Sequence, residues 1–185
     1  MHYFILVLAL LGCSFFGTSA EAQRRHRRRQ PSVAALRAIT SDRVPAGPTR
    51  GYVRGRAVRL VIVRVDNKPV EQHTAEAYHR MQAAAAGAGI NLRIVSGFRT
   101  MRHQRALYAL HRRRQGSLAA RPGLSNHQSG HALDLNTSAP GVYAWLAANA
   151  SRFGFYRTVR SEPWHWEWGT TPPQRSRRRH RRRRH

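Results

Sequence analysis

The stretch AVRLVIVRV at 57–65 is apolar at most positions and rich in β-branched residues, the pattern of a strand buried on much of both faces. It runs into Asp66-Asn67-Lys68-Pro69, a turn sequence. From 74 to about 86 the period changes. Ala77, Met81 and Ala84 recur at helical spacing, Thr74 stands where an N-cap is needed, and Gly87 or Gly89 supplies the stop. INLRIVS at 90–96 predicts a short strand and Gly97 a turn, after which Thr100 caps a second helix running through MRHQRALYALHRRR to about Arg114. A loop rich in Gly, Pro and Ser follows. HALDLN at 131–136 predicts a strand with Ala132 and Asp134 on one face, and 140–154 a third helix with Pro140 in its first turn and Gly154 at its end. In WHWEW at 164–168 three tryptophans alternate with His165 and Glu167, so a strand there sends the indoles one way and the polar pair the other.

Upstream, residues 31–50 carry Pro31, Pro45, Gly47 and Pro48 around a short helical pattern at 33–39. They read as a linker or loosely attached arm, with the folded domain beginning near Gly51. Strands and helices are interspersed through short, irregular connections. That favours an α+β fold over a doubly wound parallel sheet: a small single domain with a central, mainly antiparallel sheet flanked by helices. A chain of 185 residues has room for one such domain.

Composition adds a compartment and an excess of positive charge. An apolar run too short to span a bilayer leads to Ala20-Glu21-Ala22, which fits a signal-peptide cleavage rule, although no Lys or Arg precedes the run. Export after residue 22 is the expectation. The alternative takes Leu10-Leu11-Gly12-Cys13 as a lipoprotein signal that tethers the chain through Cys13, against which stands the Phe15-Phe16 pair that follows. Cys13 is the only cysteine, so a chain cut after Ala22 has neither disulfides nor thiolate metal sites. The chain holds 33 Lys+Arg against 8 Asp+Glu, a net +25, and 13 of those arginines lie in RRHRRR at 24–29 and RSRRRHRRRRH at 175–185. Tracts without an apolar residue cannot build a core. They either hold an anionic envelope polymer or serve as solvated tails, so 23–50 is expected to be a basic linker, 51–171 the domain and 172–185 a disordered tail.

Acidic residues are scarce enough to question singly. Asp134 lies in an apolar strand, where a carboxylate is costly to bury without a cation. Each of Asp134, Glu162 and His127 has an ordinary alternative: an arginine pair, a turn residue, a loop histidine. Their arrangement argues otherwise, because SNHQSGHALD followed about thirty residues later by EPWH supplies two imidazoles and two carboxylates, and zinc hydrolases use three such ligands with a further carboxylate as base.

SGFRT at 96–100, SNHQSGHALDL at 125–135 and EPWHW at 162–166 together resemble the zinc D-alanyl-D-alanine carboxypeptidases and dipeptidases associated with vancomycin resistance, the VanY-like peptidase core, over residues 58–169. The pattern S-x-H-x-x-G-x-A-x-D is matched by Ser125, His127, Gly130, Ala132 and Asp134. The resemblance implies that His127, Asp134 and His165 hold one zinc ion, that Glu162 takes a proton from water on the metal and passes it to the departing amine, that Arg99 binds the carbonyl oxygen, and that Ser125 helps hold the substrate. Glu162 and His165 are three apart, so both reach one metal only if the chain bends at Pro163. Glu167, on the His165 side, is a candidate partner for that ring's second nitrogen. His131 would be a rival ligand in a helix, but Gly130 and ALDL argue against one. Gln104 and Trp164 are candidates for shaping the pocket, or for a helix polar residue and a packing indole.

The expected function is therefore an exported zinc peptidase cutting a D-alanine bond in peptidoglycan stems or their precursors, acting as a monomer. An L,D- or L-alanyl-D-glutamate peptidase of the same fold is the nearest alternative, and a non-catalytic cell-wall-binding module the next. Nucleic acid is disfavoured as a partner by the export signal and by the lack of a base-reading motif.

Overall fold

The computed structural model describes residues 31–40 and 44–169. The signal segment with Cys13, and both arginine tracts, lie outside the described residues. Among those described are four α-helices and seven strands, and no helix is long and apolar enough to cross a membrane.

Helix α1 (Val33–Thr40) is followed by a hairpin of β1 (Gly47–Val53) and β2 (Arg56–Val65), with β3 (Lys68–Glu71) completing a three-stranded sheet in the order β1-β2-β3. Helix α2 (Gln72–Gly87), β4 (Ile94–Ser96), α3 (Met101–Arg112), β5 (Ala132–Leu135), α4 (Val142–Asn149), β6 (Phe155–Tyr156) and β7 (His165–Trp168) follow, and the second sheet has the order β4-β5-β7-β6. Every pairing is antiparallel. The fold is α+β, as expected, with two sheets in place of one central sheet.

Several local expectations are corrected. Strand β2 is buried only at Ile62 and Val65 and is exposed at half of its positions, so it is not buried on both faces as its apolar run suggests. Its turn is only Asp66-Asn67, both at positive φ, which Asp and Asn tolerate better than most residues; Lys68 and Pro69 already belong to β3. Helix α2 is capped by Glu71, whose carboxylate accepts from the Thr74 N–H, and Thr74 is buried one turn in. Burial follows Ala77, Tyr78, Met81 and Ala85, not Ala84. The third helix stops at Asn149 and continues as a 3-10 turn, Ala150–Phe153, before Gly154. Thr100 does cap α3, accepting from His103 N–H. Leu36 of α1 packs against Ala106 and Leu110 of α3, and β1 begins at Gly47.

The main core joins Tyr78 and Met81 of α2 and Leu146 of α4 to Ile94, Leu133, Leu135 and Trp166. Strand alternation then fixes the opposite face. Leu133 pairs with Trp166 while Asp134 lies opposite His165, so once the apolar pair is driven into the core the polar pair must face away from it. Ser96 joins that second face as the register partner of Asp134. Trp164 is not part of the tryptophan face: it precedes β7 in a turn and is 45% exposed.

Candidate active site

Three elements bring the chemistry together. Asp134 and His165 are cross-strand neighbours on β5 and β7, and His127 arrives from the loop before β5, whose carbonyl at His127 accepts from Arg99 N–H at 3.0 Å. His127 Nε2 lies 3.2 Å and His165 Nδ1 3.3 Å from Asp134 Oδ1. All three ligand atoms lie within 4.8 Å of one another, and all three residues are buried.

The remaining ring nitrogens settle the proton positions. His127 Nδ1 is 2.8 Å from the Gly97 carbonyl oxygen, which can only accept, so Nδ1 carries the hydrogen and a neutral ring turns the Nε2 lone pair towards Asp134. His165 Nε2 is 2.9 Å from Glu167 Oε1, leaving Nδ1 to face Asp134. With both of these nitrogens deprotonated, two lone pairs and a carboxylate oxygen converge on one point, which calls for a cation between them. Two nitrogens and one oxygen suit zinc, which commonly takes three protein ligands of these types in hydrolytic sites.

The surrounding charges are consistent with that arrangement. Burial disfavours ionised Asp134, but its close polar contacts with His127 and His165, with the Arg99 charge, outweigh it and hold the carboxyl well below the usual range. Burial, then the charge of Arg99, pushes His127 down and keeps it neutral. Burial works against protonated His165 as well, yet hydrogen bonds to Asp134 and Glu167 raise it to about 9 in the metal-free protein. Glu167 is buried and accepts from His165, Asn126 and Thr158, which together lower it to about 2 against the cost of burial.

The other expected residues lie at the same place. Glu162 sits in the turn before β7, where Glu162 N–H donates to Val159 O and His165 N–H to Glu162 O. This bend at Pro163 brings its Oε2 to 3.9 Å from His165 Nδ1. Arg99 Nη2 donates to Asp134 Oδ2 at 2.9 Å and to Ser96 Oγ at 3.3 Å. Ser125, Arg99, Glu162 and the three candidate ligands line one cleft of about 720 Å³, with Leu118, Leu124 and Trp164 among its apolar walls. Gln104 lines it too; its Nε2 donates to the Ala120 carbonyl, while its buried Oε1 has no partner among the described residues. His131 points elsewhere, bonded to the Trp168 carbonyl at 3.1 Å and stacked on that indole.

A family model for VanY, D-alanyl-D-alanine carboxypeptidase, matches residues 67–171. The chain belongs to this family. A D-alanyl-D-alanine carboxypeptidase of Enterococcus faecalis is 39% identical over 62 residues, a match covering 25% of this chain and 23% of that protein. The chain therefore spans about a quarter of the curated relative it matches. Among solved structures, VanYB in complex with D-alanine-D-alanine is 24% identical, with a TM-score of 0.49 and coverage of 59% of this chain and 77% of that one. The LD-carboxypeptidase LdcB is also 24% identical, at a TM-score of 0.48, covering 57% and 62%.

Some parts of this VanY-type site are not marked in the sequence. The Gly97 carbonyl that orients His127 is backbone, and no side chain signals it. Asn126 and Thr158 reach Glu167 from separate loops, with nothing in their spacing to single them out. Thr74 and Glu71 are a third case: Thr74 Oγ1 donates to the Gly130 carbonyl at 2.9 Å and to Glu71 at 3.2 Å, tying helix α2 to the loop that carries His127. Gly130 has φ +81°, and a Cβ there would come within 2.5 Å of Glu71 Cβ. The glycine of the S-x-H-x-x-G pattern thus has a steric reason.

Proposed function

We propose that this protein is an exported zinc carboxypeptidase that hydrolyses a D-alanine peptide bond in peptidoglycan stem peptides or their precursors. One observation carries the reading. Two imidazole nitrogens and a carboxylate oxygen converge beside a second carboxylate, Glu162, and a guanidinium, Arg99, in one cleft. A site that only held a structural metal would need neither of the last two.

His127, Asp134 and His165 would hold the ion, which in such a site acts as a Lewis acid and acidifies water. Glu162, partly exposed at the cleft edge, accepts the proton of the attacking water and returns it to the departing amine. Arg99 is held by Asp134 and Ser96 with further N–H groups to spare, so it donates to the substrate carbonyl as negative charge develops there, without reorganising. Ser125 offers a hydroxyl to the bound peptide. Glu167 and the Gly97 carbonyl keep the two rings turned towards the ion. Residues 50–171 hold 18 Lys+Arg and 6 Asp+Glu, a net +12, which favours approach of a substrate that carries a free carboxylate. The substrate's location accords with the export expected from residues 1–22.

The test follows D-alanine release from a pentapeptide stem ending in D-Ala-D-Ala. The zinc-loaded protein releases it, chelation stops release, and Glu162→Gln lowers kcat by about 10² to 10⁴ while still binding one zinc. Peptides with an L,D or L-alanyl-D-glutamyl bond, run alongside, assign the bond. A protein that binds these peptides and cuts none would be a binding module. Secretion of the intact chain, followed by fractionation, tests the location.

A further inference from the structure

The β1–β2 hairpin precedes the segment matched by the family model, which starts at 67. Residues 47–65 contain five arginines and no Asp or Glu. Arg50, Arg54, Arg56 and Arg59 are exposed, and among the described residues none forms an ion pair. Arg50 lies directly across from Arg59, a like-charge pair that destabilises a bare hairpin. Both line a groove of about 410 Å³ with Pro48, Thr49, Ala57 and Val58.

The hairpin is also joined to the catalytic loops. Tyr52 N–H donates to the carbonyl of Gln128, next to His127, at 2.8 Å, and Gly55 N–H at the tip donates to Gly123 O at 2.9 Å. Gly123 adjoins Leu124, which lines the cleft. The hairpin is thereby anchored to the loop that carries His127, and from Arg54 to Arg50 its arginines extend over roughly 13 Å at strand spacing. A free dipeptide held at the metal would not reach so far. A polymer carrying many stem peptides, each with its own carboxylate, would lay anionic groups along the whole hairpin.

We infer that the β1–β2 hairpin is a docking surface for the carboxylates of peptidoglycan stem peptides neighbouring the one in the cleft, so that the enzyme works on the assembled polymer. This rests on the peptidase reading of the adjoining cleft, but its test does not. In the full-length chain, the thirteen arginines of 24–29 and 175–185 are replaced by serine so that the hairpin is read by itself. Chelated protein is then sedimented with purified peptidoglycan, either native or with its carboxylates amidated. Replacing Arg50, Arg54, Arg56 and Arg59 with Gln weakens binding to native peptidoglycan by about tenfold, the scale of four exposed charge contacts, and the four Arg→Lys changes keep it within about twofold. Amidated peptidoglycan binds weakly whichever hairpin is present. Equal sedimentation of the Gln and parent proteins overturns the proposal. So does hairpin-dependent binding that survives amidation and follows phosphate instead, on wall polymers, anionic phospholipid vesicles or nucleic acid. With zinc restored, parent and Gln variant hydrolyse a soluble stem peptide equally. Loss of that activity in the Gln variant alone would mean the changes act through the fold, and overturns the docking role. A parent inactive on every peptide would sink the peptidase reading and leave the sedimentation result standing.

Discussion

Asp134 receives both imidazoles on one oxygen and Arg99 on the other, so its environment follows from which cation is nearest. His165 is the residue whose protonation this environment changes most usefully. Its pKa is raised to about 9 in the metal-free protein, so its ion pairs contribute stability that is fully present below an ordinary histidine pKa, near 6.5, and is lost as pH rises through 9. Zinc needs the same Nδ1 deprotonated. Zinc affinity, measured by competition with a chelator, is accordingly expected to rise with pH up to about 9 and then flatten; an affinity that falls across pH 6–9 would contradict this. Glu167→Gln removes the carboxylate that turns the His165 ring, and is expected to weaken zinc binding about 10- to 100-fold while the protein stays folded. The position of Glu167 was legible from alternation in HWEW. Its two other donors, Asn126 and Thr158, were not, because loop hydrogen bonds leave no periodic trace in a sequence.

At the scale of elements, the sequence read the strands and helices through periodicity and misread them where capping or burial competes with it. Thr74 has the chemistry of an N-cap, but the acidic Glu71 three residues earlier takes that role, and the Thr74 hydroxyl is turned to Gly130. Thr74→Val therefore removes a hydrogen bond between α2 and the metal loop. A loss of about 1 to 2 kcal/mol in denaturant unfolding is expected, with a larger fractional loss of zinc affinity than an equally destabilising core change such as Met81→Leu. Gly130→Ala is more severe, since it combines positive φ with a clash against Glu71, and is expected to reduce both stability and zinc content. Helix α1 was expected on a loose arm, yet Leu36 is 4% exposed against α3. Leu36→Ala is expected to cost about 2 to 4 kcal/mol if α1 unfolds with the rest, or to release α1 alone to rapid hydrogen exchange if it does not.

For the whole molecule, stability and metal binding are one equilibrium. In the metal-free protein a proton on His165 faces Asp134; zinc takes its place and binds only the folded arrangement of the three ligands, so zinc is expected to raise the unfolding temperature and chelation to lower it, in proportion to the logarithm of free metal. A Glu162→Gln protein should show the same shift, because that residue is not among the three. The basic hairpin belongs to this scale as well. Its arginines are scattered at 50, 54, 56 and 59 and do not form a run, so in the sequence they read as one part of a general positive excess, while folding gathers them on a single hairpin bonded to the loop that carries His127.

Local order was written in the sequence: the α+β class, the caps and stops at Thr100, Gly89 and Gly154, and the alternation that separates His165 from Trp166; the site residues His127, Asp134, Glu162, His165, Arg99 and Ser125 were singled out by resemblance to a family pattern. The class, caps and alternation depend on neighbours within a few residues. The tertiary structure alone decided what depends on distant approach. It set the split into two sheets, the exposure of β2, the Gly97 carbonyl behind His127, the tie from Thr74 to Gly130, and the seating of the arginine hairpin on the metal loop. The last three join segments thirty or more residues apart through backbone or loop atoms, whose partners are chosen by packing and not by periodicity.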